Sequence, residues 1–180
     1  MKKDDLRIIK TKKALYNALI NLMKNKTFEE IKVSDICNEA LVNRSTFYAH
    51  FEDKYTLLSS FINSLKDSFL NELNNNTKTS NSKEYYTEVI KIFLAHIERE
   101  KDTYLSIAMH NRDSILVDII YDVINKDEKL KKSSIPKDII AKFFFGAVVS
   151  VGIYWLYNID KYTKEEILNY LILLIPNELK

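Results

Sequence analysis

The sequence predicts an all-α protein, and three observations carry that prediction. Only two glycines and two prolines occur in 180 residues, too few to supply the turns of a sandwich or barrel. Apolar residues recur at helical spacing along most of the chain. Hydrophobic residues make up 46 % of the composition, ample for a packed core.

From about Leu6 to Lys24, apolar Ile8, Leu15, Ala18, Leu19 and Leu22 recur with helical period, while Lys12, Lys13, Asn17, Asn21 and Lys24 fall on other faces. Thr27-Phe28-Glu29-Glu30 fits a capping box around one short turn, and an ordinary loop accounts for it equally well. A short helix from about Val33, with Ile36, Cys37 and Ala40 apolar, then runs into Leu41-Val42-Asn43. Asn43 suits the N-cap of a second short helix from Arg44 to about Phe51, which completes helix-turn-helix spacing. Asp53 suits the cap of a longer helix carrying Leu57, Leu58, Phe61, Ile62, Leu65, Phe69 and Leu73.

Residues Asn74 to Lys83 contain no apolar side chain and read as a loop. Helices are expected from about Glu84 to Glu100 and from Thr103 to Met109. His110-Asn111-Arg112 reads as a break before a helix marked by Ile115, Leu116, Ile119, Ile120, Val123 and Ile124, with a charged loop from Asn125 to Ser134 after it. Pro136 suits the first turn of a long helix to about Tyr157, and Thr163-Lys164-Glu165-Glu166 is a capping box opening a helix that Pro176 stops. The expected organisation is about nine helices, divided into a head over residues 1–53 and a larger helical domain over 54–180.

The net charge of +2 is unevenly spread. Residues 1–60 carry eleven Lys/Arg against eight Asp/Glu, whereas residues 61–180 carry sixteen against seventeen. The excess is sharpest in residues 1–32, with nine basic and four acidic groups, although a solvated lysine-rich face has the same composition. Cys37 is the only cysteine, so this sequence holds no intrachain disulfide, and its apolar helix position predicts packing. The opening MKKDDLRIIKTKK lacks the apolar segment and cleavage site of a secretory signal, and a cytoplasmic location is the expectation.

Phe143 to Tyr157 is apolar on nearly every side, shorter than the roughly 20 residues of a membrane span and rich in tyrosine. It reads as a buried helix, with no membrane partner. A chain of this size is not expected to bury that helix on all sides together with the apolar face of the helix after it. Homodimerisation is therefore expected through Gly146, Ser150, Ile153 and Trp155, with Ile167, Leu171 and Leu174. Gly146 and Ser150, four apart, allow close helix approach, and packing within one chain explains them equally well.

The stretch RSTFYAH, Arg44 to His50, separates by face. Phe47 and Phe51 are four apart and can pack inward, leaving Arg44, Ser45, Thr46, Tyr48 and His50 in other directions. Arg44 can donate two hydrogen bonds to guanine in a DNA major groove, and Thr46 can offer its hydroxyl to a base or its methyl to thymine. Tyr48 and His50 can reach phosphate oxygens, Lys54 suits a phosphate, and the first turn of the helix at Ser34 and Asp35 offers free N–H groups at a positive dipole end. Taken singly, each residue is as well explained by solvation or amphipathic packing. Their combination favours DNA.

VSDICNEALVNRSTFYAHFEDKYTLL, through Thr46-Phe47-Tyr48, His50-Phe51, Lys54 and Leu57, resembles the DNA-binding signature of TetR-type transcriptional regulators. With the preceding helix the resemblance covers about the first third of the chain. It implies a three-helix DNA-binding head, a linking fourth helix and a helical domain that dimerises through its last two long helices and often holds a small-molecule pocket. It also implies Arg44 and Thr46 as base readers, Tyr48, His50, Lys54 and Ser34 as phosphate contacts, Phe47 as core and Ser45 as a close-approach position. Two positions depart from the family pattern. Leu41 stands where the turn usually has glycine, so the turn either holds a left-handed leucine or takes another geometry. Lys32 stands where Ser or Thr often caps the supporting helix.

No catalytic set is visible, and no enzyme is expected. His50, His96, His110 and Cys37 lie at no metal-ligand spacing, and no glycine-rich phosphate loop occurs. No metal or cofactor is expected. Aromatics of the larger domain can line a pocket for an unidentified small-molecule effector, with His96, Met109 and His110 in the helices where the family keeps it, but no pocket residue is assigned. The leading expectation is a ligand-responsive homodimeric repressor that binds a double-stranded operator. The rival is a helical coactivator or interaction module that does not use DNA binding.

Overall fold

Helix is the only regular structure among the residues described by the computed structural model, 3–76, 82–108 and 135–174. The chain forms α1 (Lys3–Met23), α2 (Val33–Glu39), α3 (Arg44–Tyr48), α4 (Lys54–Asn76), α5 (Ser82–Arg99), α6 (Lys101–Ala108), α7 (Lys137–Phe144), a π-helical segment (Phe145–Val149), α8 (Ser150–Tyr157) and α9 (Lys164–Leu174). Among the described residues no helix is long and apolar enough to cross a membrane. The helix expected over 115–124, the charged loop after it and the stop at Pro176 lie outside the described residues.

Local chemistry sets most of the boundaries. The Glu30 carboxylate accepts both the Thr27 N–H at 2.9 Å and the Thr27 hydroxyl at 2.8 Å, while the Glu30 N–H donates to the Thr27 carbonyl at 3.1 Å, so one half of the expected capping box holds the short turn before α2. Asp53 caps α4, its carboxylate accepting the Thr56 N–H at 2.7 Å while the Thr56 hydroxyl accepts the Asp53 N–H at 3.1 Å. Thr163 and Glu166 open α9 in the same way. These hydrogen bonds hold the Glu30, Asp53 and Glu166 carboxyls below their ordinary range, so the caps stay ionised near neutral pH.

Three boundaries differ from the expectation. α3 ends at Tyr48, where the His50 N–H reaches back only three residues to the Phe47 carbonyl and tightens the last turn, while the Phe51 N–H keeps a helical bond to the same carbonyl. The ends of the polar run from Asn74 belong to helices, since α4 reaches Asn76 and α5 begins at Ser82, and residues 77–81 lie outside the described residues. The long helix after Pro136 is interrupted by a π-helical turn, which rotates the faces after it relative to those before.

The fold divides into two compact units, residues 1–65 and 66–180. The core of the first joins Leu15, Leu19 and Met23 of α1 with Phe28, Ile31, Ile36, Phe47, Phe51 and the α4 residues Leu57, Leu58 and Phe61. Tyr16 reinforces it, its hydroxyl 2.8 Å from Ser60 Oγ and its ring 5.1 Å from that of Phe61. The core of the second gathers Phe69, Leu73, Tyr86, Ile90, Phe93, Leu94, Ile97, Tyr104, Trp155, Ile167 and Leu171. Its glycine of close approach is Gly152. A Cβ there would lie 2.8 Å from Ile97 Cδ1 and 3.0 Å from Phe93 Cε1, whereas one at Gly146 would meet nothing within 4 Å.

Candidate nucleic-acid interface

Geometry in the first unit begins with the turn between α2 and α3. Leu41 has φ of 54°, in the left-handed region that glycine normally fills. Its N–H donates to the Asn38 carbonyl at 3.2 Å, and the Val42 N–H donates to the Cys37 carbonyl at 2.9 Å. This pair of bonds is a Schellman motif, which satisfies carbonyls at the end of α2 and turns the chain into α3. Leu41 therefore occupies the glycine position in the conformation glycine would take, with 94 % of its surface exposed.

The start of α2 is held from within the helix. The Asp35 carboxylate accepts the Lys32 N–H at 3.2 Å and the Lys26 ammonium at 3.5 Å, so Lys32 occupies the N-cap while an acid three residues on satisfies its backbone. Asn43 is the N-cap of α3 by position, but its side chain makes no capping bond.

α3 presents two faces. Phe47 is fully buried and packs against Phe51 at 5.9 Å between ring centroids. Arg44, Ser45 and Tyr48 are exposed, Thr46 and His50 are half-buried, and Ser34 is half-buried in the first turn of α2. Ser45, Thr46 and His50 share one cleft with Arg7, Ile8, Thr11 and Ala49.

Lys54 has a different placement. Its ammonium donates to the carbonyls of Phe28 at 2.7 Å, Glu29 at 2.9 Å and Ile31 at 2.9 Å, and lies 4.8 Å from the Phe28 ring centroid. An ammonium has three donors, and all three are engaged here. Lys54 thus fastens the start of α4 to the turn before α2 and leaves no free donor for phosphate. Its partners are backbone atoms more than twenty residues earlier, so no side-chain pattern announces the contact.

In the second unit, Trp155, Ile167 and Leu171 lie in the internal core, with Trp155 Nε1 donating to the Tyr162 carbonyl at 2.9 Å. Ile153 is half-buried, while Gly146, Ser150 and Leu174 are exposed. His96 is buried on α5 against the rings of Phe69 and Tyr104. Its Nδ1 lies 2.9 Å from Arg99 Nη2 and 3.4 Å from Glu72 Oε1. Its Nε2 is buried without a partner. Burial holds the imidazole below its ordinary range, against the pull of the Glu72 carboxylate, so it is neutral near pH 7. Met109 and His110 lie outside the described residues. Among the described residues no group of three or more His, Cys, Asp or Glu could hold a metal ion.

A helix-turn-helix head and a separate all-helical unit define a helical regulator architecture. Residues 12–61 match the family described as bacterial regulatory proteins, tetR family, and residues 84–177, just over half of the chain, match a transcriptional regulator C-terminal region. The chain belongs to the TetR family of bacterial transcriptional regulators.

Among relatives, an HTH-type transcriptional regulator of Bacillus subtilis, YxbF, is 34 % identical over 62 residues. These residues are 34 % of this chain and 16 % of that protein, so the match spans only a small part of that relative. A TetR transcriptional regulator from Streptococcus agalactiae is 27 % identical, with a TM-score of 0.66 and coverage of 96 % of this chain and 97 % of that one. The fold is also that of the transcriptional regulator FadR from Bacillus subtilis, solved in complex with stearoyl-CoA. That likeness has 17 % identity and a TM-score of 0.71 over 89 % and 95 % of the two chains.

Two stability changes follow from the head. Leu41→Gly removes the left-handed leucine and loses no buried surface, so it should stabilise the head by ~1 kcal/mol in denaturant unfolding; a loss of stability would contradict the observed turn. Lys54→Met keeps the aliphatic stem but leaves three carbonyls without the ammonium, and should destabilise the head by roughly 2 kcal/mol. An unchanged unfolding midpoint would mean that water serves those carbonyls equally well.

Proposed function

We propose that this family member is a homodimeric, ligand-responsive repressor whose two heads read the half-sites of a near-palindromic operator through α3 in the major groove. The observation that carries the reading is the division of α3, with Phe47 fully buried and Arg44, Ser45 and Tyr48 exposed on the same five-residue helix. Arg44 and Thr46 act as base readers, while Tyr48, His50 and Ser34 act on phosphates and Ser45 allows close approach. Lys54 positions the head instead of touching DNA. The departure at Leu41, which left room for an interaction module without DNA binding, preserves the turn and its hydrogen bonds.

What supports a dimer is a stripe along α7, the π-helical segment and α8. Ile139 and Phe143 of α7, and Ser150, Tyr154 and Tyr157 of α8, are spaced by three or four within their own helices, and all five are exposed, as is Gly146 in the π-helical segment between them. Leu173 and Leu174 of α9 are about three-quarters exposed. Large exposed apolar residues in such a row mark an interaction surface, and repression and homodimerisation are typical of the family. Of the residues first singled out, Gly146, Ser150 and Leu174 are available to a partner, whereas Trp155, Ile167 and Leu171 support that surface from inside.

What supports an effector is the stearoyl-CoA held by the FadR of like fold, together with the buried, unpartnered Nε2 of His96. An effector shifts operator binding only through unequal affinity for the two states.

Arg44→Ala should weaken operator binding by about 1–3 kcal/mol and relax selectivity at one base position. Equal losses across a set of operator variants would refute base reading by Arg44. By light scattering at micromolar concentration the protein should be a dimer and Ser150→Arg a monomer, since Ser150 is exposed and an arginine there disturbs only the shared face. A monomeric unaltered protein would sink the dimer.

A further inference from the structure

Between α1 and α3 lies an open cleft of about 300 Å³ lined by Arg7, Ile8, Thr11, Ser45, Thr46, Ala49 and His50. Its chemistry is one-sided. The polar residues of the lining are Arg7, Thr11, Ser45, Thr46 and His50, and among the described side chains no carboxylate lines it. Arg7 is exposed, so its guanidinium is accessible from solvent. At about 30 Å³ per molecule the cleft holds some ten waters, which makes room for a group larger than a single ion.

A guanidinium fork matches the oxygens of a phosphate, and hydroxyls beside a cation donate to the same oxygens. The apolar members, Ile8 and Ala49, offer nothing to an isolated anion but suit the carbon face of a sugar. Cationic and hydroxyl groups beside apolar ones therefore fit a phosphodiester with its attached deoxyribose better than a free anion. Arg7, Ile8 and Thr11 all precede residue 12, where the match to the DNA-binding head of the family begins.

We propose that this cleft seats a backbone segment of duplex DNA, gripped by Arg7 and Thr11 of α1 on one side and by Ser45 of α3 and His50 just after it on the other. The inference rests on the reading of the head as DNA-binding and adds α1 as a second contacting element. Arg7 neutralises one phosphate without reading sequence, so it sets affinity and salt dependence while Arg44 sets selectivity.

The test is a salt titration of the full chain on a mixed-sequence duplex by fluorescence anisotropy, with inorganic phosphate binding measured in parallel. Arg7→Ala should weaken binding to all duplexes alike and reduce the slope of log K against log salt by about 1. Arg7→Lys should keep that slope. Lys13→Ala, about 240° around α1 from Arg7, should match the unaltered protein. Arg7 is exposed, and a thermal melt checks that its variants remain folded. An Arg7→Ala slope equal to that of the unaltered protein would overturn the proposal. Arg7-dependent binding of inorganic phosphate with an unchanged duplex slope would also overturn it, in favour of a small-anion site. Absence of salt-dependent duplex binding by the unaltered chain would instead remove the DNA-binding reading beneath it, a failure distinct from a loss confined to Arg7.

Discussion

The left-handed backbone at Leu41 is the constraint on which the head depends. Without a residue in that conformation, the Val42 N–H cannot reach the Cys37 carbonyl, α2 cannot end in its Schellman turn, and α3 has no fixed direction. With it, Phe47 reaches the core and the opposite face of α3 is turned outward. A leucine in this conformation costs about 1–2 kcal/mol relative to an unstrained residue. Burial of Phe47 offsets that, since fully burying such a side chain contributes about 1.5–3 kcal/mol.

Lys54 completes the frame from the other end. Through three carbonyls it ties the first residue of α4 to the turn between α1 and α2, so α1, α2 and the start of α4 share one joint. The head is thus specified by two devices, a strained turn and a buried-side ammonium clamp. The polar face of α3 then needs no loop of its own to be presented.

What was legible in the sequence was whatever is local. The capping box at Thr163, the cap at Asp53 and the Glu30 half of the box at Thr27 each lie within four residues, and each forms. The glycine-like demand at position 41 was legible as an alternative, which the observed φ resolves. Asn43 shows the limit of such reading: it holds the N-cap position, yet its side chain does not cap. The bonds of Lys54 were not legible, because its partners are backbone carbonyls remote in sequence. Periodicity marked α8 and α9 as apolar without distinguishing inside from outside, which is why Trp155, Ile167 and Leu171 were grouped with exposed Gly146, Ser150 and Leu174. Gly152 was missed for a related reason, since its need for space comes from Ile97 and Phe93 on another helix. The cleft beside Arg7 likewise exists only once α1 and α3 are brought together.

The central claim is that α3 reads duplex DNA as one of a symmetric pair. Hydroxyl-radical footprinting on the DNA upstream of the protein's own gene tests it most directly. The account predicts two protected patches related by inverted repeat sequence, centred about one helical turn, or a multiple of it, apart. Uniform or absent protection at low salt, where backbone contacts are strongest, would contradict it.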